Sequence, residues 1–201
     1  FKNKKLKIAI DSPAAAGAGT LAKKISNHYN LYYLDTGKIY RYIAYLKIKY
    51  PKKFENSFIK KQIRKLNIKK LKKKELISNQ VGLEASIISK KKNLRKLVHE
   101  FQIKYAYRPP KKYNGSCLDG RDITYKIIPD ADFKFFVTAS LKVRAKRRFK
   151  ELKKFKKKIS YMTVLKSIKI RDKNDYNRLI SPLKKTKDSI LINTSNLSKR
   201  A

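Results

Sequence analysis

Near the start of the chain, residues 8–20 read IAIDSPAAAGAGT. The apolar residues at the beginning predict a short strand over residues 6–10, and the small residues after Asp11 predict a tight loop. A helix is predicted over residues 20–29, because apolar residues recur there at helical spacing. Strand, small-residue loop and helix together form an arrangement that binds phosphates, since backbone N–H groups and the positive end of the helix dipole point at the anion.

This loop matches the phosphate-binding pattern G-x-x-x-x-G-K-[ST] only in part. Gly17 and Thr20 are retained, whereas Ser12 stands at the first glycine and Ala18 at the lysine. The Thr20 hydroxyl is a candidate ligand of Mg²⁺. Taken alone, this weak match favours an ordinary tight turn between a strand and a helix over a phosphate-binding loop. The candidate phosphate-binding residues are Ser12, Pro13, Ala14, Ala15, Ala16, Gly17, Ala18, Gly19 and Thr20.

The alternation of strands and helices continues along the chain. It predicts strands at residues 31–34, 116–118, 133–138 and 189–192, and helices at residues 38–50, 93–107, 141–155 and 161–176. Residues 51–90 are rich in lysine and show weak periodicity, but Leu, Ile and Phe recur in them, which favours an inserted, mainly helical segment. Short turns between alternating elements are typical of an α/β fold with a parallel sheet.

Positive charge dominates the composition, with 54 Lys plus Arg against 14 Asp plus Glu and a formal net charge of +40. Such a chain attracts polyanions, and non-specific binding of nucleic acid through charge is one interpretation. A coding sequence that drifts toward A and T is another, because G-to-A changes turn Glu into Lys. The lysines are spread over the whole chain, so the charge alone does not decide the function.

Several classes of protein are disfavoured by the composition. The absence of an apolar run of 18 residues predicts no membrane span, and the short basic N-terminus does not resemble a signal peptide. The single cysteine, Cys117, excludes an internal disulfide and a cysteine-based zinc site. The expected setting is therefore cytoplasmic, with a monomer as the default. Phe1 is not a start residue, so we interpret the sequence as incomplete at its ends.

Beyond the loop, short motifs follow one another in a particular order. They are YLDTG at 33–37, YR at 40–41, AS at 85–86, DGRDI at 119–123, PDA at 129–131, TAS at 138–140, RA at 144–145, RR at 147–148, RD at 171–172, SPL at 181–183 and NTS at 193–195. Three arginines also have acidic neighbours, in Arg121-Asp122, Arg171-Asp172 and Asp175 with Arg178. Together, these segments resemble bacterial cytidylate kinases from residue 8 to residue 195.

This resemblance implies a single kinase domain with a three-layer P-loop NTPase core and a parallel sheet. The core would comprise about residues 1–54, 106–149 and 161–201. An insert that binds the nucleoside monophosphate (NMP) would span about residues 55–105, and a short lid about residues 150–160. The family would also place a closing helix after Ala201.

The activity implied by the resemblance is transfer of the γ-phosphoryl group of ATP to CMP or dCMP, with Mg²⁺. Phosphoryl transfer requires positioning and charge neutralisation, for which arginine is well suited. By the resemblance, the catalytic cations would be Arg121, Arg147 and Arg171. The residues around the monophosphate would be Thr36, Arg41, Ser86, Arg95, Arg121, Asp122, Arg171, Asp175 and Arg178. Ser86, Arg95 and Asp122 would recognise the pyrimidine, which makes a UMP or AMP kinase a less favoured variant.

The main departure from the family is Ala18, where a lysine is expected. Losing one such cation costs on the order of 10²–10³ in rate. The candidate substitutes are Lys23, Lys24, Arg144, Arg147 and Arg148. Two alternatives therefore stay open, a catalytically impaired nucleotide-binding homologue and a basic nucleic-acid-binding protein.

Two smaller departures concern the backbone. Ser12 would be strained if its position requires φ > 0. Residues 124–126 replace a small, glycine-containing stretch of the family, and this loop is therefore expected to be displaced.

Overall fold

The computed structural model describes residues 5–154 and 158–198 and contains a five-stranded parallel sheet. The strand order is β2-β3-β1-β4-β5. Each neighbouring pair is parallel and in register, as in the pairing of Ile8 with Cys117. The strands are β1 (Leu6–Asp11), β2 (Tyr32–Asp35), β3 (Gly115–Gly120), β4 (Phe133–Thr138) and β5 (Ile190–Asn193). The predicted parallel α/β fold is therefore confirmed.

Helices connect these strands. They are α1 (Ala18–His28), α2 (Thr36–Lys49), α3 (Asn56–Arg64), α4 (Ile68–Leu71), α5 (Asn79–Ile88), α6 (Lys92–Tyr107), α7 (Leu141–Lys153) and α8 (Tyr161–Asn177). Short 3₁₀ turns lie at Pro51–Lys53 and Lys74–Ile77, and a π-helical turn at Ile123–Ile127. Because α3, α4 and α5 fall within residues 51–90, that segment is helical as predicted.

The strands alternate their side chains between two apolar layers. Ile8 and Ile10 pack with α1 on one face, whereas Ala9 and Leu118 pack on the other face in a cluster that includes residues of α2 and α6. The second cluster continues into the inserted helices, for example at the fully buried Ile59. Helices therefore cover both faces of the parallel sheet, as its buried strands require.

The division into core, insert and lid stays a prediction. The inserted helices share one continuous apolar cluster with the sheet, so packing alone does not separate them from the core. In the lid prediction, residues 155–157 lie outside the described residues. Helix α7 ends at Lys153 and α8 begins at Tyr161, so the predicted lid includes the last residues of α7 and the connection to α8.

The expected strain at Ser12 is not found. The residues with positive φ in the phosphate loop are Ala15, with φ of 60°, and Gly17, with φ of 98°. Ser12 instead donates its backbone N–H to the Gly120 carbonyl at 3.1 Å and continues the parallel ladder beyond β1. Gly17 can adopt its left-handed conformation without a Cβ clash, and it ends the loop directly before α1.

Candidate active site

A pocket opens at the carboxyl edge of the sheet, bordered by α2, α5, α8 and the residues after β3. This is the edge at which ligands bind in open α/β sheets. The structure brings all of the sequence-predicted substrate residues together here, namely Thr36, Arg41, Ser86, Arg95, Arg121, Asp122, Arg171, Asp175 and Arg178. Sequence reasoning missed Tyr40 and Ser89, which also line the pocket and carry hydroxyl groups.

Helix α2 begins at this edge and projects two of these residues into the pocket. The Asp35 side chain caps the helix by accepting the Lys38 backbone N–H at 3.1 Å. The Thr36 hydroxyl donates to the Asp119 carbonyl at 2.7 Å, which fixes the start of α2 against β3. One turn later, Arg41 Nη1 donates to the Leu76 carbonyl at 2.7 Å, which joins α2 to the insert.

Two buried carboxylates bind arginines of the pocket. Asp122 forms an ion pair with Arg95, whose Nη1 also donates to the Ser89 carbonyl at 3.1 Å. Asp175 accepts Arg121 Nε at 2.7 Å and lies 3.8 Å from Arg178 Nη1. Burial alone would raise the pKa of Asp175, but the nearby arginines outweigh burial and hold the pKa below its usual value.

Arg41 and Arg171 form no ion pair with a carboxylate among the described residues. Burial, followed by the charges of Arg171 and Arg148, lowers the pKa of Arg41 well below its ordinary value. Burial and the charge of Arg121 likewise lower the pKa of Arg171 to about 10. Arg171 Nε and Arg178 Nη2 are buried and have no hydrogen-bond partner within the described part of the chain. Because buried donors and like charges are costly when unpaired, this arrangement favours an anionic ligand such as a phosphate.

Arg148 is a member of this cluster that sequence reasoning named only as a substitute cation. It lies on α7, pairs with Glu151 at 2.6 Å and donates to the Ile77 carbonyl. Its positive charge contributes to lowering the pKa of both Arg41 and Arg171. The spacing of four residues from Arg144 was the available signal, since it places both side chains on one face of the helix toward α8.

Arg147, predicted to be catalytic, lies elsewhere. Its guanidinium donates to the Thr194 hydroxyl at 2.8 Å and to the carbonyls of Thr194 and Leu197 at 2.6 and 3.2 Å. Its Nη1 would lie 3.7 Å from a Cβ placed on Gly17, so this side chain faces the phosphate loop. The structure therefore places Arg147 outside the substrate pocket, and its catalytic role stays a prediction.

The phosphate loop is held from behind by side chains of other elements. Arg144 Nη1 donates to the Ala14 carbonyl at 3.1 Å, and the Thr194 hydroxyl donates to the Ala16 carbonyl at 2.7 Å. Helix α1 begins directly after Gly17 and has no side-chain cap at its N-terminus. The loop thus presents the positive end of a helix dipole to solvent, which suits the phosphates of a nucleoside triphosphate.

A pair of carboxylates lies next to this loop. Asp35 stands opposite Asp119 on the neighbouring strand, and Asp119 Oδ2 would lie 3.4 Å from a Cβ on Gly19. Burial and the charge of Asp35 raise the pKa of Asp119 well above its usual value. A divalent cation would relieve this repulsion, and oxygen ligands are those that Mg²⁺ prefers, so Asp35, Asp119 and the exposed Thr20 hydroxyl fit a Mg²⁺ site.

Larger groups of metal-binding side chains can also form a metal site. Among residues 5–154 and 158–198, no group of three or more His, Cys, Asp or Glu side chains is arranged to hold a metal ion. A cation shared between the two carboxylates and phosphate oxygens remains compatible with that finding, since Mg²⁺ often takes only one or two carboxylates.

In the same described ranges, no helix is long and apolar enough to cross a membrane.

Residues 124–126, expected to be displaced, lie in the π-helical turn at Ile123–Ile127. This turn is anchored on the buried Asp11, whose carboxylate accepts the backbone N–H groups of Ile123 and Thr124 at 2.8 and 2.9 Å. The Thr124 hydroxyl adds a third bond at 2.6 Å. Burial outweighs these bonds and raises the pKa of Asp11 to about 6. The turn directly follows Asp122 and thereby fixes this carboxylate at the pocket wall.

Comparison with known proteins agrees with this geometry. The cytidylate kinase family model matches residues 8–201. A cytidylate kinase of Azorhizobium caulinodans is 40% identical over 190 residues, which cover 94% of this chain and 90% of that protein. One from Bartonella tribocorum is 40% identical over 194 residues, with 95% and 87% covered. One from Clostridium botulinum (strain Loch Maree) is 41% identical over 204 residues, with 96% and 92% covered. The chain therefore belongs to the cytidylate kinase family.

Proposed function

We propose that this chain transfers the γ-phosphoryl group of ATP to CMP or dCMP, giving CDP or dCDP and ADP. The observation that carries the proposal is the group of partly unpaired arginines in a pocket lined by every predicted substrate residue. Such a site is built for a small dianion, because charge-assisted bonds from guanidinium groups match phosphate oxygens.

The reaction requires no covalent intermediate with the protein. An oxygen of the CMP phosphate attacks the γ-phosphorus, and the bond from that phosphorus to the bridging oxygen of ADP breaks. Arg41, Arg121 and Arg171 neutralise the charge of the attacking phosphate and orient it toward the phosphate loop. Because the guanidinium groups are already held by the pocket, little reorganisation is needed during transfer.

Recognition of cytosine is assigned to the Arg95–Asp122 pair together with Ser86. The Asp122 carboxylate accepts a hydrogen bond from the exocyclic amino group, which uracil lacks, while Arg95 donates to the base. Arg95 lies over the Tyr40 ring, 5.7 Å from its centroid, so its orientation is supported by packing as well. Uracil would leave this buried carboxylate unpaired, which is the physical basis for discrimination. Asp175 lies on the remaining wall, where it is placed to contact the sugar.

The phosphate loop, residues 12–20, is assigned to ATP, and Asp35, Asp119 and Thr20 to Mg²⁺. Mg²⁺ bound there would neutralise charge on the β- and γ-phosphate oxygens. The backbone of the loop would hold the triphosphate at the N-terminus of α1, next to the pocket for the monophosphate. The proposed setting is a cytoplasmic monomer.

The test is ADP release from Mg·ATP in a coupled assay with CMP, dCMP, UMP and AMP offered separately. We expect turnover with CMP or dCMP at a kcat/KM at least about 10²-fold above that with UMP, because uracil leaves Asp122 unpaired. Absence of turnover with all four, in protein shown to be folded, would contradict the proposal. Nucleic-acid binding that CMP does not displace would then favour a polyanion-binding protein.

A further inference from the structure

The position that would hold the loop lysine contains no cation. Ala18 is 3% exposed and packs in the apolar cluster on the α1 face of the sheet. Two arginines near the loop are bound to the protein itself. Arg144 donates to the carbonyls of Ala139 and Ala14 and pairs with Asp172 at 2.7 Å. Arg147 donates to Thr194 and Leu197. Neither guanidinium is free to follow a phosphate that is being transferred.

The other substitutes considered from sequence are placed no better. Lys23 and Lys24 are exposed on α1, beyond its first turn. Arg148 is bound to Glu151 and to the Ile77 carbonyl, and its charge acts on Arg41 and Arg171 of the pocket assigned to the monophosphate. Each of these cations therefore lies away from the loop itself or serves the acceptor side.

Lys38 lies at the carboxyl edge of the sheet, where the phosphate loop also lies. It occupies the first turn of α2, and its Nζ is 3.7 Å from Asp35 Oδ2. Asp35 faces Asp119 across the register of β2 and β3, and Asp119 Oδ2 would lie 3.4 Å from a Cβ on Gly19. Gly19 directly follows Ala18, so these carboxylates bring the ammonium of Lys38 to the edge of the sheet that carries the start of α1.

The electrostatic environment of Lys38 supports the same role. Its charge acts on Asp119 against the effects of burial and of Asp35. Its side chain is 32% exposed, and its single ion pair among the described residues is long, so the side chain can turn toward an incoming phosphate. A flexible four-carbon stem with a point charge is the same chemical device that a loop lysine provides.

We propose that Lys38, at the start of α2, supplies the cation that the phosphate loop lacks at Ala18, and that its ammonium contacts the γ-phosphate of ATP during transfer. This inference rests on the proposed kinase function. It predicts that the charge of Lys38 acts on the triphosphate and is exchangeable with a lysine at position 18.

The test compares Lys38→Met with Lys38→Arg and, as a matched control, with Lys24→Met on α1. For Lys38→Met we expect kcat with CMP and Mg·ATP to fall on the order of 10²–10³, because one preorganised cation is lost. Lys38→Arg should retain most of the rate, and Lys24→Met should stay within about twofold of the unmodified protein. Thermal unfolding of each variant shows that the fold is retained.

A second experiment tests whether a lysine at position 18 restores the kcat that Lys38→Met loses. Ala18→Lys in the Lys38→Met background should recover at least about tenfold in kcat, since a merely structural defect would not be repaired there. Calorimetry with ATP and AMP gives a readout that does not require turnover. Lys38→Met should weaken ATP binding by about 10-fold or more and leave AMP binding nearly unchanged, as loss of a charge-assisted bond predicts.

The inference is overturned if Lys38→Met keeps the kcat of the unmodified protein, or if it weakens ATP and AMP equally. If the unmodified protein binds ATP but phosphorylates no monophosphate, the proposed function fails, and the ATP-against-AMP comparison still decides the role of Lys38.

Discussion

Arg171→Ala is expected to lower kcat for CMP phosphorylation by about 10³-fold and to leave the fold intact. Arg171 lines the pocket together with Arg41 and Arg121, and its Nε has no hydrogen-bond partner among the described residues. Burial and neighbouring positive charge lower the pKa of Arg171 to about 10, so its positive charge destabilises the protein when no ligand is bound. Loss of this side chain should therefore leave the free energy of unfolding unchanged or raise it.

Steady-state kinetics and urea unfolding check both parts of this expectation. The control is Lys169→Ala, which removes an exposed cation from the same helix, α8, and should leave kcat within about twofold. A large loss of stability in Arg171→Ala would show that Arg171 supports the fold. An unchanged kcat would remove it from the catalytic machinery.

The second large effect concerns the buried Arg95–Asp122 pair. Asp122→Leu is expected to destabilise the protein by about 3–5 kcal/mol, because it leaves the Arg95 guanidinium buried without its counter-charge. The double variant Arg95→Met/Asp122→Leu should be substantially more stable than the single variant, since neither charge then remains unpaired. Both variants should lose discrimination between CMP and UMP. The check is a double-mutant cycle by urea unfolding.

Additive free energies in that cycle would contradict the account of this ion pair. The matched comparison is Lys47→Met, which breaks a more exposed pair with Glu84 on α5. Ion pairs of this kind contribute about 1 kcal/mol or less. A smaller loss of stability in Lys47→Met than in Asp122→Leu would show that burial, and not pairing alone, sets the cost.

Local sequence patterns were sufficient for most of the fold. The strand over Phe133–Thr138 was predicted with its exact bounds, because apolar residues occupy four of its six positions. Helix α1 begins at Ala18, two residues before the predicted start, because the small residues Ala18 and Gly19 were assigned to the loop. Its true start is set by the positive φ of Gly17, which is a property of the backbone.

The pocket could be predicted only through the order of short motifs, since its residues are distant in sequence. Arg41 and Arg171 come from helices far apart along the chain, and no local pattern places them together. The same limit explains the uncertainty over Arg147 and Arg148. These neighbours in sequence diverge in space, because adjacent residues on a helix point in different directions. One side chain contacts Thr194 and the other contacts Ile77.

The carboxylates next to the phosphate loop were not predicted at all. Asp35 is the last residue of β2 and Asp119 the last but one of β3, and their approach depends on the register of these two strands. The anchoring of the π-helical turn on Asp11 is likewise a contact across 112 positions of sequence. In both cases, the sequence contains the residues, but only the strand order of the sheet brings them together.

The arginine pocket is expected to bind the phosphate of the acceptor nucleotide, and the proposed reaction depends on this binding. Calorimetric comparison of CMP with cytidine, in the absence of ATP, tests that claim most directly. Two or more charge-assisted bonds to the phosphate predict that CMP binds at least about 10²-fold more tightly than cytidine, and that Arg171→Ala removes much of this difference. Equal affinities for CMP and cytidine, in folded protein, would contradict the account.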